Sequence, residues 1–216
     1  MKVMNESINH DYLIGEQTLL LHTKIAQSLF SGEWKHGRLG LLQYAKLIKN
    51  LWYAVKMDDP YAEWFLLKSY DQIENAKEQL QNYEDVFQAQ LDNLRGFQVE
   101  LFRNPHPVLE SLQFATPFAY MGAKLVEQFD YVNRQLFTMR RIGVIPKGNL
   151  RHIKLIQQVQ KTFRIPLNWH STGVTRKDIV ENNDKAEKAR KLMGEMPRRI
   201  LHKDIEFNFL PKLQIM

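Results

Sequence analysis

Apolar residues recur along this chain with two different periods, and the change from one to the other marks out its elements. From residue 66 an apolar side chain falls at every seventh position, at Leu66, Ile73, Leu80, Phe87 and Leu94, with Ala76, Tyr83 and Phe97 filling positions between. Asp, Glu, Gln, Asn and Lys dominate the rest, and neither Gly nor Pro appears before Gly96. A repeat of seven holds one helix face apolar, so this stretch predicts a single long helix. Asp59 can cap it, Pro60 takes its first position, and Glu63 meets the positive end of the helix dipole. At 1.5 Å per residue the helix spans roughly 50 Å, too long to be buried on its own. It must therefore lie along another helix, either residues 38–55 or one from a partner subunit.

Residues 38–55 carry the helical stripe Leu41, Ala45, Ile48, Trp52 and Val55, with Lys46, Lys49 and Asn50 away from it. Upstream, Leu19, Leu20, Leu21, Ile25, Ala26, Leu29 and Phe30 fit a further helix that ends at Ser31 and Gly32.

The period falls to two at residues 108–115. Val108, Leu112 and Phe114 share one face of a short strand, and Leu109, Ser111 and Gln113 share the other. Thr116 and Pro117 then offer a cap and a first-turn proline to a helix built on Tyr120, Ala123, Leu125, Phe129, Val132, Leu136 and Met139, which stops at Gly143. A second helix follows through Leu150, Ile153, Ile156, Val159 and Phe163 before Pro166. A strand among helices has unpaired edges and needs a mate. If a second copy supplies it, the result is a ribbon-helix-helix embedded in a mainly α-helical chain, with an antiparallel ribbon formed between two subunits. If the mate lies in the same chain, for example at residues 205–209, the result is a small α+β domain.

Asn104-Pro105-His106-Pro107 forces an extended connection, the expected boundary between a helical part (1–104) and a strand-helix-helix part (105–216). Past Pro166, Thr175 and Asp178 form a capping pair for a helix expected to run to Met193 and Gly194. The tail then alternates at Ile205, Phe207 and Phe209.

Composition narrows the function. The 216 residues are 44% hydrophobic, enough for one substantial core, and contain no cysteine, so disulfides and thiolate chemistry are excluded. Residues 1–10 lack the apolar core of a signal peptide and no apolar run reaches membrane-spanning length, so a cytoplasmic chain with no membrane partner is expected. The net charge of +6 favours an anionic partner, and the cations cluster beyond residue 139 whereas residues 58–92 are acidic. There is no Gly-rich phosphate loop, nucleophile elbow or H-E-x-x-H pair. The seven histidines never fall three or four apart. No catalysis, metal, cofactor or small-molecule substrate is expected. Capping explains the adjacent carboxylates of Asp58 and Asp59, and the tryptophans read as core or interface anchors.

Three segments carry a resemblance: Asp58-Asp59-Pro60-Tyr61-Ala62-Glu63-Trp64-Phe65-Leu66-Leu67, Leu112-Gln113-Phe114-Ala115-Thr116-Pro117, and Thr172-Gly173-Val174-Thr175-Arg176-Lys177-Asp178-Ile179 with Met193-Gly194-Glu195-Met196-Pro197. Together they resemble the AcaB-like family of integrative conjugative elements and conjugative plasmids. That resemblance implies a transcriptional activator of conjugative-transfer genes, working as a homodimer through a ribbon-helix-helix on double-stranded DNA.

On that reading Leu109, Ser111 and Gln113 face the bases, with Gln113 suited to an adenine edge. Lys147, Gly148, Asn149 and Arg151, at the start of the second helix, would hold phosphates, with Arg140 and Arg141 extending the clamp. Two other readings stay open. One is a helical adaptor of the conjugation machinery that binds no DNA, and the other is a recognition helix at residues 176–192.

Overall fold

Two strands far apart in sequence open the architecture: β1 (Gln17–Leu21) and β2 (Val108–Leu112) pair antiparallel, with Leu19 opposite Glu110 and Leu20 opposite Leu109. The computed structural model describes residues 17–33, 37–96, 98–146, 151–202 and 209–211. Between and after the strands run α1 (Lys24–Ser31), α2 (Leu41–Lys56), α3 (Pro60–Asp92), α4 (Pro117–Arg141), α5 (Arg151–Arg164), a 3₁₀ turn (Ile165–Asn168), α6 (Arg176–Glu181), α7 (Asp184–Met193) and α8 (Arg198–Leu201). The chain is thus mainly helical with a small two-stranded sheet.

The strand pairing corrects the expected mate of β2. Its partner is β1 of the same molecule, so the strand does not depend on a second copy for its first row of hydrogen bonds. Leu19, Leu20 and Leu21 had looked like the first turn of a helix, because three adjacent leucines satisfy either period. Leu19 and Leu21 are buried and Leu20 is exposed, which is the alternation of a strand, and the helix begins only at Lys24. The alternative mate at 205–209 lies outside the described residues except for Phe209, whose ring stacks on Tyr70.

The long heptad helix forms as its pattern requires. Asp59 accepts from the backbone N–H groups of Tyr61 and Ala62, Pro60 opens the first turn, and Leu66, Ile73, Leu80 and Phe87 are all fully buried. Residues 66–87 lie along α2, α4 and α5 of the same chain, so α3 needs no second subunit to cover its stripe. One apolar cluster runs from Leu19 to Phe163, and both sides of the connection at residues 104–107 contribute to it.

Close approach fixes the corner before α2. A Cβ on Gly40 would fall 2.2 Å from the backbone nitrogen of Gly32, so only glycine fits there. The same corner is tied to α5 by Gln160, whose amide donates to the Leu39 carbonyl at 2.7 Å and accepts from the Leu39 N–H at 3.2 Å.

The C-terminal helix is broken in two, where a single one was expected. Asn182 adopts the left-handed region (φ 51°) and ends α6, and the Asn183 side chain caps α7 by accepting from Lys185 and Ala186. Both are roles for which asparagine is suited.

Candidate nucleic-acid interface

The register of β1 and β2 sorts their side chains into two faces. Leu19, Leu21, Val108, Glu110 and Leu112 point toward the helices, and Thr18, Leu20, Leu109 and Ser111 point to solvent. Leu109 is 63% exposed and lies directly opposite Leu20, itself 45% exposed. Gln113 is also exposed, just beyond the end of β2. The three residues expected to read bases therefore do share an accessible face. That face is apolar at its centre, and none of the described strand residues on it is a cation.

Of the expected phosphate clamp, the described part is the end of α4 and the start of α5. Arg140 and Arg141 occupy the last turn of α4, where cations complement the helix dipole, and Arg141 is exposed. Lys147, Gly148 and Asn149 lie outside the described residues, and of Arg151 only its place at the first position of α5 is described. The middle of α4 marks the distance: Asp130 accepts from the N–H groups of His22 and Thr23 at 2.9 and 2.8 Å, just past the end of β1 that faces Val108. From there to Arg140 the helix climbs ten residues, about 15 Å. Between the strand face and these arginines lies Arg134 of α4, which lines a hollow together with Thr18 and Leu20 of β1.

Beyond Arg151 runs the solvent face of α5. Lys154, Gln157, Lys161 and Arg164 are all exposed, while Leu155, Val159 and Phe163 are fully buried on the opposite side. Among its 14 residues, α5 contains no Asp or Glu. A cation stripe without interleaved carboxylates keeps its full charge toward solvent, unlike the helix faces where pairs neutralise each other. The contrast is visible on α7, where Lys191 pairs with Glu187 at 2.8 Å, and on α6, where Lys177 faces Glu181 at 3.7 Å.

The alternative recognition helix fares differently along its length. Lys185, Lys188 and Lys191 point outward from α7. Arg176 turns inward, its side chain only 11% exposed, and its guanidinium bridges Asp58 and Glu63. Nearby, the Trp169 indole N–H donates to Asp59 at 3.3 Å and the Tyr61 hydroxyl donates to the Gly194 carbonyl at 2.8 Å. Burial is the main influence on Asp59 and raises its pKa, against the lowering effect of the N–H donors and of Arg176. Local spacing explains both Asp58 and Asp59 by capping alone. Asp59 does cap, but Asp58 and Glu63 serve an arginine more than a hundred residues away, which no local pattern could indicate.

Also missed was the outer face of α2, another helix without Asp or Glu, where the exposed Tyr53 ring lies between Lys49 and Lys56 at 5.9 and 5.5 Å. Its lysines were legible in sequence as a polar face, but nothing marked them as neighbours of an exposed ring. Among the described residues there is no cluster of three His, Asp or Glu able to hold a metal, and no helix long and apolar enough to cross a membrane.

A small two-stranded sheet on a helical body, with cation-bearing helix faces turned to solvent, defines a mainly helical protein suited to an anionic partner. The chain belongs to the AcaB family, described as the transcriptional regulator AcaB, which matches residues 11–214. In structure it is similar to selenomethionine-containing AcaB from uropathogenic E. coli, with a TM-score of 0.57 over 88% of this chain and 95% of that one. Sequence identity to that protein is 12%, so the likeness is one of fold. No curated protein matches the chain.

Proposed function

We propose that this chain is a double-stranded-DNA-binding transcriptional activator of conjugative-transfer genes, acting as a homodimer in the cytoplasm and catalysing no reaction. The observation that carries the DNA-binding part is the solvent face of α5, whose exposed Lys154, Lys161 and Arg164 have no acidic neighbour on their own helix. Family membership supports the regulatory part.

The phosphate-binding set is Arg140, Arg141, Lys147, Gly148, Asn149 and Arg151, continued along α5 by Lys154 and Lys161. Base reading falls to Leu109, Ser111 and Gln113, since the major groove admits a two-stranded ribbon. Among the described residues β2 has one edge unpaired. Antiparallel pairing of that edge with its copy across a two-fold axis would build the dimer and set two reading faces side by side.

Fluorescence anisotropy with labelled DNA fragments tests this reading. Lys154→Ala and Lys161→Ala should each weaken binding by a similar factor on every sequence and reduce the slope of log affinity against log salt by about one. Gln113→Ala should instead change which sequence is preferred. If all three variants bind every fragment as the parent does, the interface is misplaced.

The exposed Leu20 and Leu109 pair favours one second reading, an adaptor that docks another component of the transfer machinery on the outer sheet face. Such an apolar contact would survive a rise in salt that removes DNA from α5.

A further inference from the structure

A groove of about 860 Å³ opens between α5, α1, the corner before α2 and the 3₁₀ turn that follows α5. Four isoleucines form its apolar wall: Ile25 from α1, Ile153 and Ile156 from α5, and Ile165 from the 3₁₀ turn. Its polar border carries three cations, Arg38, Lys161 and Arg164, and no carboxylate lines it among the described residues. Arg164 donates to the Gly37 carbonyl at 3.2 Å, which fixes the guanidinium at the mouth. Arg38 pairs with the half-exposed Glu33 at 3.1 Å, and Lys161 has no ion pair among the described residues. The border is held in place from behind, because Gln160 engages both backbone groups of Leu39.

We propose that this groove is a binding site for a small amphipathic anion, a molecule with an apolar body and a single carboxylate or phosphate head. The isoleucines would cover the body, and Lys161 and Arg164 would take the head, with Arg38 on the far side.

Size and charge select this occupant. The volume lies within the range of small-molecule sites, which combine an apolar lining with a few placed polar groups. A second copy docked here about a two-fold axis would set Arg38, Lys161 and Arg164 against their own duplicates, a like-charge contact that disfavours a dimer. A DNA backbone supplies phosphates but no apolar body for four isoleucines.

The site also has a consequence for regulation, which rests on the DNA reading above. Lys161 and Arg164 belong both to the groove and to the exposed face of α5. An anion head seated between them removes charge from the helix that is proposed to meet phosphate, so ligand and DNA should oppose each other, and reciprocally.

The full-length chain can be titrated with 1-anilinonaphthalene-8-sulfonate, an amphipathic anion that becomes fluorescent when its rings are covered. One saturable site is expected, with octanoate and octyl phosphate displacing the probe and octanol at equal concentration failing to do so. Lys161→Ala and Arg164→Ala should each weaken probe binding by about tenfold, the scale of one charge-assisted contact. Ile153→Glu, at an exposed position where the fold is not at stake, should abolish it. Unsaturable binding, equal displacement by octanol, or variants that bind as the parent does would each overturn the site.

A second arm measures DNA affinity in saturating octanoate, where a severalfold loss with a shallower salt slope is expected. Saturable probe binding combined with DNA affinity that ignores octanoate would support the ligand site and overturn its overlap with the DNA face. Absence of saturable probe binding with DNA binding intact would overturn the ligand site and its overlap, and leave the DNA reading standing.

Discussion

Asp130 shows how much a single buried carboxylate can hold in place. It is 3% exposed and accepts three hydrogen bonds, from the N–H groups of His22 and Thr23 and from the Thr23 hydroxyl at 2.6 Å. These bonds pin the corner between β1 and α1 to the middle of α4. In Asp130→Asn one accepting oxygen becomes an NH₂ group that faces other donors, so stability should fall by about 2–4 kcal/mol, read from the urea midpoint. Backbone amides of Leu19 and Leu21 should exchange faster in that variant before the rest of the fold responds. Tyr44 is the opposite case. Its ring is fully buried and stacks on Phe163 at 4.9 Å, but its hydroxyl has no hydrogen-bond partner among the described residues, and burial drives its pKa far upward. Tyr44→Phe keeps the ring and removes the unpaired group, so the same urea titration should show a gain of up to about 1 kcal/mol. Neither role was legible in sequence. An aspartate inside a helical stripe looks like a solvent position, and a tyrosine gives no sign of whether its hydroxyl will find a partner.

Elements were legible where the pattern was long or chemically marked. The heptad of α3 extends over enough turns to exclude a strand, and the caps of α3, α4 and α6 lie where Asp59, Thr116 and Thr175 place them. Short segments were not. β1 holds five residues, three of them adjacent leucines, and its identity is decided by β2, about ninety positions away. The break between α6 and α7 had a signal, Asn182 followed by Asn183, but the apolar pattern continued across it. At this scale α6 gives a pH prediction. Asp178 accepts from the Asn183 amide and from the backbone N–H and hydroxyl of Thr175, and these donors lower its pKa to about 2. A carboxylate with a lowered folded-state pKa binds fewer protons folded than unfolded in the window between that value and the ordinary 3.8. Its contribution is therefore complete above about pH 4 and is lost as the pH falls toward 2. Protection factors of the α6 amides, which correct exchange for its own pH dependence, should fall through that window in the parent chain, while in Asp178→Asn they should already be low at neutral pH and change little on acidification.

Across the whole molecule, two of the segments that resemble the family in sequence, the one at residues 58–67 and the C-terminal one at 172–197, turn out to be neighbours in space. Arg176 reaches Asp58 and Glu63 across 118 and 113 positions, and Tyr61 reaches Gly194 across 133. These contacts clasp α6 and α7 to the corner between α2 and α3. The clasp has its own small apolar cluster, centred on Tyr61, Val174 and Ala189, which touches the main core from Leu19 to Phe163 through Trp169 and Met193. Two cores of such unequal size should not yield at the same denaturant concentration, because the smaller one buries little apolar surface and leans on the ion pairs. Arg176→Ala would leave Glu63, whose side chain is 6% exposed, buried without its partner. Breaking one side of such a pair costs about 3–5 kcal/mol, more than a cluster of three fully buried residues can be expected to hold in reserve. The expected outcome is a chain whose α6 and α7 are cut rapidly by protease while α2 to α5 stay protected. Because α5 belongs to the protected part, DNA affinity should persist in that variant if α5 carries the contacts. It should collapse if the outward lysines of α7 carry them, so one substitution separates the two candidate helices.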